Sequence, residues 1–315
     1  MKEKAEKAKR TKSRLILDLC IVLVLLPAVL LCCFLFLIAK PWRHWKPAEV
    51  SVQIQEPQES PCINPEGMTQ ETRILPPEGY KRIPAAGNSF LSFMRQQPLY
   101  ENGSMIYSYD GKALSNANAA AVYSLSVGSE GYQECADSII RLWSEYLWSQ
   151  GRKDALRFHL TNGSVCGYRS FSRGKRVLAA GNHSVMIKLA PASDDEQTFH
   201  DWLMTVMRYA GTLSLDKESV PVPVQEVHPG DFLCTGGSPG HAVLIADEAV
   251  NEDGKRCFLL AEGFMPAQSC HIIAGYNCDP NPWYTEEQLS ADPVCVSTYT
   301  FSGSTVLRRI GLPLT

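Results

Sequence analysis

Residues Leu19–Ala39 run for a full membrane's thickness without one charged side chain, and no other stretch restricts the chain's architecture as strongly. A soluble core has no place for such a segment, so it reads as a single transmembrane helix, with Pro27 tolerated as membrane helices tolerate it. Lys2, Lys4, Lys7, Lys9, Arg10, Lys12 and Arg14 precede it against Glu3, Glu6 and Asp18 alone, so the positive-inside rule leaves residues 1–18 as a basic arm in the cytoplasm. Everything after the span is then extracytoplasmic, and periplasmic if the envelope is of the Gram-negative kind. The run is longer than the core of a cleaved leader, and no small-residue cleavage site follows it. Trp42, Arg43, His44, Trp45 and Lys46 supply the aromatic and basic belt expected at the water interface.

Beyond the span, Pro47, Pro57, Pro61, Pro65, Pro76 and Pro77 lie among polar residues, and 40–78 reads as a proline-rich stalk. From 79 to 315 the composition is that of one globular α+β domain. Setting aside the seven basic and three acidic side chains of residues 1–39 from the 30 and 33 of the whole chain leaves a net charge near −7, which argues against nucleic acid as a partner. Eight cysteines follow the span: Cys62, Cys135, Cys166, Cys234, Cys257, Cys270, Cys278 and Cys295. Disulfides are chemically open to them outside the cytoplasm, whereas no spacing has the CxxC form that suggests zinc. The expectation is no metal and no cofactor.

Apolar spacing predicts helices over Ser89–Gln97 with Asn88 as cap, over Glu134–Ser149 stopped by Gly151, and from a capping box at Ser193/Glu196 through Trp202 and Val206 to Gly211. Strands are predicted at Ser104–Tyr109, Ala120–Val127, Ser297–Phe301 and Thr305–Ile310, with a hairpin of Leu156–Leu160 and Gly167–Phe171 around Asn162-Gly163. Pro229-Gly230-Asp231-Phe232, Gly240-His241 through Asp247, and Phe258 through Glu262 form three strands of one antiparallel sheet.

The chemistry is sought at the ends of those strands. His241 opens one strand and Glu262 closes the next, so an imidazole and a carboxylate come level; Asp247 lies too far along the same strand to orient the ring. Cys135 sits in the first turn of the strongest soluble helix, where the helix dipole and free backbone N–H groups favour a thiolate and an oxyanion. Glu134 and Asp137 oppose this unless Arg141 neutralises Asp137. Asp137, Arg141 and Glu145 read most simply as an ion row along the helix. The loop around Met265-Pro266-Ala267-Gln268 and Asn281-Pro282-Trp283-Tyr284 reads as rigid packing over the sheet, with a substrate wall as the alternative.

A helix-opening Cys135, Pro229-Gly230-Asp231, Gly240-His241 and Glu262 resemble, in that order, the papain-like cysteine amidases and peptidases of bacterial cell walls, the NlpC-type and CHAP families. That resemblance implies a papain-like antiparallel sheet packed on helices, with Cys135 as nucleophile, His241 as base and Glu262 as orienting group, acting on amide bonds such as those of cell-wall peptide. A wider resemblance, over residues 79–315, is to a bacterial domain-of-unknown-function family of membrane-anchored envelope proteins. It is carried by Gly79-Tyr80, Ser89-Phe90 with Arg95, Glu134-Cys135-Ala136-Asp137 with Arg141-Leu142, Gly237-Ser238-Pro239-Gly240-His241-Ala242 and Pro282-Trp283-Tyr284. It implies no established activity. The competing readings are a non-catalytic envelope binding domain of the same fold and a structural ectodomain whose cysteines bridge.

Overall fold

A computed structural model describes residues 59–115, 117–303 and 305–311. The basic arm, the apolar span and the stalk residues 40–58 lie outside the described residues. Among the described residues no helix is long and apolar enough to cross a membrane.

Nine strands form one sheet: β1 (Tyr80–Arg82), β2 (Ala119–Val122), β3 (Ser219–Pro221), β4 (Phe232–Thr235), β5 (His241–Asn251), β6 (Arg256–Glu262), β7 (His271–Ile273), β8 (Trp283–Thr285) and β9 (Leu307–Ile310). The main path runs β2-β7-β6-β5-β4-β9-β3, with β1 added beside β5 and β8 beside β6; every pairing is antiparallel. The three strands expected around His241 are thus its centre, β4 to β6.

Both faces are covered. On one, Ala242, Leu244, Ala246 and Leu259 join a core made with the helices α1 (Phe90–Arg95), α2 (Cys135–Ser149), α3 (Glu196–Tyr209) and α4 (Thr212–Glu218). On the other, Val243, Ile245, Phe258 and Leu260 pack with Val222, Tyr284, Val294 and Phe301 from connecting segments. Period-two alternation of a fully buried strand produces this division. It shifts phase at an irregularity between Ile245 and Asp247, after which Asp247 and Ala249 face the helices.

The papain-like expectation is not supported. The molecule is a mixed α/β domain with a large antiparallel sheet, in which the last strand among the described residues, β9, and β3 extend the sheet beyond β4. The residues behind the expectation specify one hairpin and its turn. Such local signals say nothing of which strands pair further out, and those strands decide the fold.

Other differences are local. Ser89, not Asn88, caps α1, its hydroxyl accepting from the Ser92 N–H at 3.1 Å. Asp195, not Ser193, caps α3, accepting from the Thr198 N–H at 2.8 Å. The hairpin at Asn162-Gly163 forms from Arg157–His159 and Val165–Gly167, and Tyr168–Ser172 is a helical turn instead of a strand. Pro229-Gly230-Asp231 has a packing explanation: Gly230 holds φ +105°, a Cβ there would sit 2.7 Å from the Trp143 ring, and Asp231 is clamped by Arg309 at 2.7 Å.

Part of the expected stalk is folded. Cys62 and Ile74 are buried in the helix-side core, and the buried Gln70 donates Nε2–H to the Ala246 carbonyl at 3.1 Å. Proline content suggested an extended linker there, but long-range packing overrides local composition.

Candidate active site

His241 is placed by the turn before it. A Cβ on Gly240 would fall 2.5 Å from Thr212 Oγ1 and 2.7 Å from the carbonyl oxygens of Thr235 and Gly237, so only glycine lets the turn close on α4. The chain then enters β5 with the imidazole among the rings of Phe264, Tyr299 and Phe301, at centroid distances of 4.8, 4.9 and 5.9 Å.

His241 Nε2 lies 2.7 Å from Glu262 Oε2. Continuing the β5–β6 register one step past Leu244 and Ala261 puts Glu262 level with Val243, making it the diagonal same-face neighbour of His241. The carboxylate is completely buried. Its Oε2 also accepts from Thr298 Oγ1 at 3.0 Å, and directly across the next pairing stands His271. Burial pushes the Glu262 carboxyl up, but the imidazoles of His241 and His271 outweigh it and hold it below its ordinary value. Glu262 is therefore a carboxylate, which takes the Nε2–H of His241 and leaves Nδ1 as the nitrogen able to accept a proton.

Cys135 is the first residue of α2, as expected, with Glu134 at the cap position. Its thiol is buried, with the backbone N–H groups of Ala242 and Ala136 near enough to favour the thiolate. Burial pushes it up to about 11; those N–H groups lower it, and Asp137 and Glu134 raise it further. The resting sulfur is a thiol. Arg141 is engaged elsewhere, with Glu145 at 2.7 Å and with the Gln133 side-chain oxygen. Asp137 serves instead as a helix cap, its Oδ2 accepting the Glu134 N–H at 3.2 Å while Oδ1 has no hydrogen-bond partner. Burial, then the neighbouring Glu134, holds the Asp137 carboxyl well above the usual range.

Of the three expected residues, the fold brings His241 and Glu262 into direct contact. Cys135 reaches the peptide that follows His241, but alternation along β5 aims Ala242 at the helices and His241 at the opposite layer. No hydrogen bond joins thiol and imidazole among the described residues. Cys135 does line a cleft of about 410 Å³, bounded by Glu134 and Asp137 of α2, Arg208 of α3, Thr212 of α4 and Pro239 of the turn. Met265 also lines it, whereas Trp283 and Tyr284 are buried in β8 and form no wall. Asp247, expected to be too distant for the ring, binds Arg82 and Arg95 at 2.8 and 2.7 Å.

All eight cysteines among the described residues are free, and no group of histidine, cysteine and carboxylate side chains there could hold a metal ion. Sequence reasoning missed His271, Thr298, Phe264 and Tyr299. His271 opens a strand of only three residues, too short for periodicity, and its signal is position: it is the first residue of the strand returning opposite Glu262.

A family described as a domain of unknown function (4846) matches residues 70–309. The chain belongs to it. The match spans α1 to α4 and takes in Cys135, His241, Glu262 and His271. No curated protein and no solved structure matches the chain.

Proposed function

We propose that this family member is a cysteine-dependent hydrolase of amide bonds, held at the outer face of a membrane by residues 19–39, with cell-wall peptide as the candidate substrate. The observation that carries this reading is the His241–Glu262 pair at 2.7 Å, beside the Ser238-Pro239-Gly240 turn that lines a cleft together with Cys135. This chemistry requires the first residue of β5 to turn when substrate binds, so that His241 Nδ1 leaves the Tyr299 and Phe301 side and reaches the thiol. Cys135 Sγ attacks the carbonyl carbon and its proton passes to His241 Nδ1, while first-turn N–H groups of α2 face the developing oxyanion. Collapse expels the amine, which takes the proton back from His241. Water, with His241 again as base, then cleaves the thioester to release the acid and restore the thiol.

The test is labelling of the full chain at pH 7 with an electrophilic peptide-amide mimic. Wild type labels at Cys135, Cys135→Ala does not label there, and His241→Ala labels about 100-fold more slowly or worse. Equal labelling of all three proteins rejects the nucleophile. A second reading, a binding domain that uses the same cleft without chemistry, is favoured by the thiol held up at about 11 and unbonded to the ring. It predicts peptide binding unaffected by Cys135→Ala and no covalent product.

A further inference from the structure

Glu262 has two oxygens with unlike surroundings. Oε2 accepts from His241 and Thr298, while Oε1 is buried with no formed hydrogen bond and faces His271 Nε2 at 3.5 Å. The other nitrogen of His271, Nδ1, lies 3.0 Å from the Ser269 carbonyl oxygen. A carbonyl only accepts, so Nδ1 carries a hydrogen. A neutral His271 would then turn the bare lone pair of Nε2 toward a charged carboxylate oxygen, in a site where both side chains are almost fully buried. A proton between Nε2 and Oε1 removes that conflict.

We infer that His271 is a positioning residue: its doubly protonated ring faces Glu262 Oε1, keeps Glu262 charged, and so fixes the Nε2–H tautomer of His241. The assignment rests on the hydrolase reading for its catalytic meaning, but not for its chemistry. The ring donates one hydrogen to Ser269 and the other toward Glu262, leaving the second carboxylate oxygen for His241. The neighbours of His271 across the strands are Glu262 on β6 and Val122 on β2. Tyr284 and Cys270, which feel the Glu262 charge, are each pushed up to about 12 by burial and stay neutral near pH 7. Tyr299 borders the His241 ring. The two histidines are therefore the groups beside Glu262 whose ordinary values fall closest to neutrality.

The experiment is a titration of the imidazole nitrogens by ¹⁵N NMR on the full chain, from pH 5 to 9. Wild-type His271 is expected to show two protonated nitrogens at pH 7, and His241 one, on Nε2. In Glu262→Gln, His271 should revert to a neutral ring protonated on Nδ1. In His271→Gln, which keeps a donor toward Oε1 but removes the charge, the His241 midpoint should rise by about one pH unit. A wild-type His271 that is neutral at pH 7, or an unmoved His241 midpoint in a folded His271→Gln, overturns the inference. The wild-type measurement decides the matter even if the variants do not fold. Labelling that ignores His241 would refute the hydrolase while leaving the His271 charge state as measured.

Discussion

The strand β5 carries two buried acid sites that differ in one respect. Near its middle, Asp247 is wholly enclosed and gripped by Arg82 and Arg95, with its Oδ1 also accepting the Glu248 N–H at 2.8 Å. At its start, His241 meets Glu262, whose Oε1 lacks a formed hydrogen bond, close to a cleft lined by Cys135. Both are buried charges. The first is satisfied by permanently charged guanidinium groups, which lock β1 and α1 onto the sheet. The second is held by imidazoles, which can give up or take a proton where a guanidinium cannot. Saturation marks a structural site, whereas a buried carboxylate with one oxygen lacking a formed hydrogen bond, held between imidazoles, is the candidate for chemistry under the proposed reading.

Isosteric substitution breaks or sharpens this contrast most directly. Asp247→Asn strands the buried Arg95 guanidinium and the half-buried one of Arg82 and is expected to cost about 3–5 kcal/mol, read as a lowered denaturation midpoint. Glu262→Gln should cost under about 1.5 kcal/mol, since an amide oxygen can still accept from His241, while slowing Cys135 labelling by about tenfold or more. A reversal of the two stability effects would overturn the distinction between the sites. Gly240→Ala comes next. Its Cβ collides with Thr212 and two carbonyl oxygens, so a loss of about 1–3 kcal/mol is expected, together with slower labelling, as the turn backs away from α4.

The smallest effect concerns Asp137. Its folded-state value is raised, so the stability linked to its proton is fully present below the unfolded value of about 3.9 and is lost as pH rises through the raised folded value. Asp137→Asn keeps an oxygen for the Glu134 N–H and removes that loss. Its thermal midpoint should match wild type near pH 4 and exceed it by about 3 °C at pH 8.

How much of this could be read from residues alone varied with range. The α2 helix, its cysteine, and the three central strands ending in His241 and Glu262 follow from local spacing, because caps, glycine turns and alternation act over a few residues. Of the outer strands, β2 and β9 follow from the spacing at Ala120–Val127 and Thr305–Ile310, but β7 and β3 do not. The three residues of β7 and of β3 have no pattern of their own and are strands only because β6 and β9 pair with them. The same holds for the site. Glu262 was legible as the hairpin partner of His241, but the aromatic surround of Tyr299 and Phe301 comes from a segment some forty residues further on, and no local rule connects them. The exposed hairpin of Lys175–Ala180 and His183–Lys188 was overlooked because both its strands mix polar and apolar residues without a buried face.

The irregularity between Ile245 and Asp247 acts as a change of parity. Before it, even-numbered positions of β5 serve the helices and odd-numbered ones the opposite layer; after it, the assignment is exchanged. A one-residue deletion at that point would remove the irregularity and restore plain alternation, leaving the imidazole and the arginine-bound aspartate on their layers. A one-residue insertion would send one of them to the wrong layer, so the segment between them can shorten by one residue but not lengthen by one.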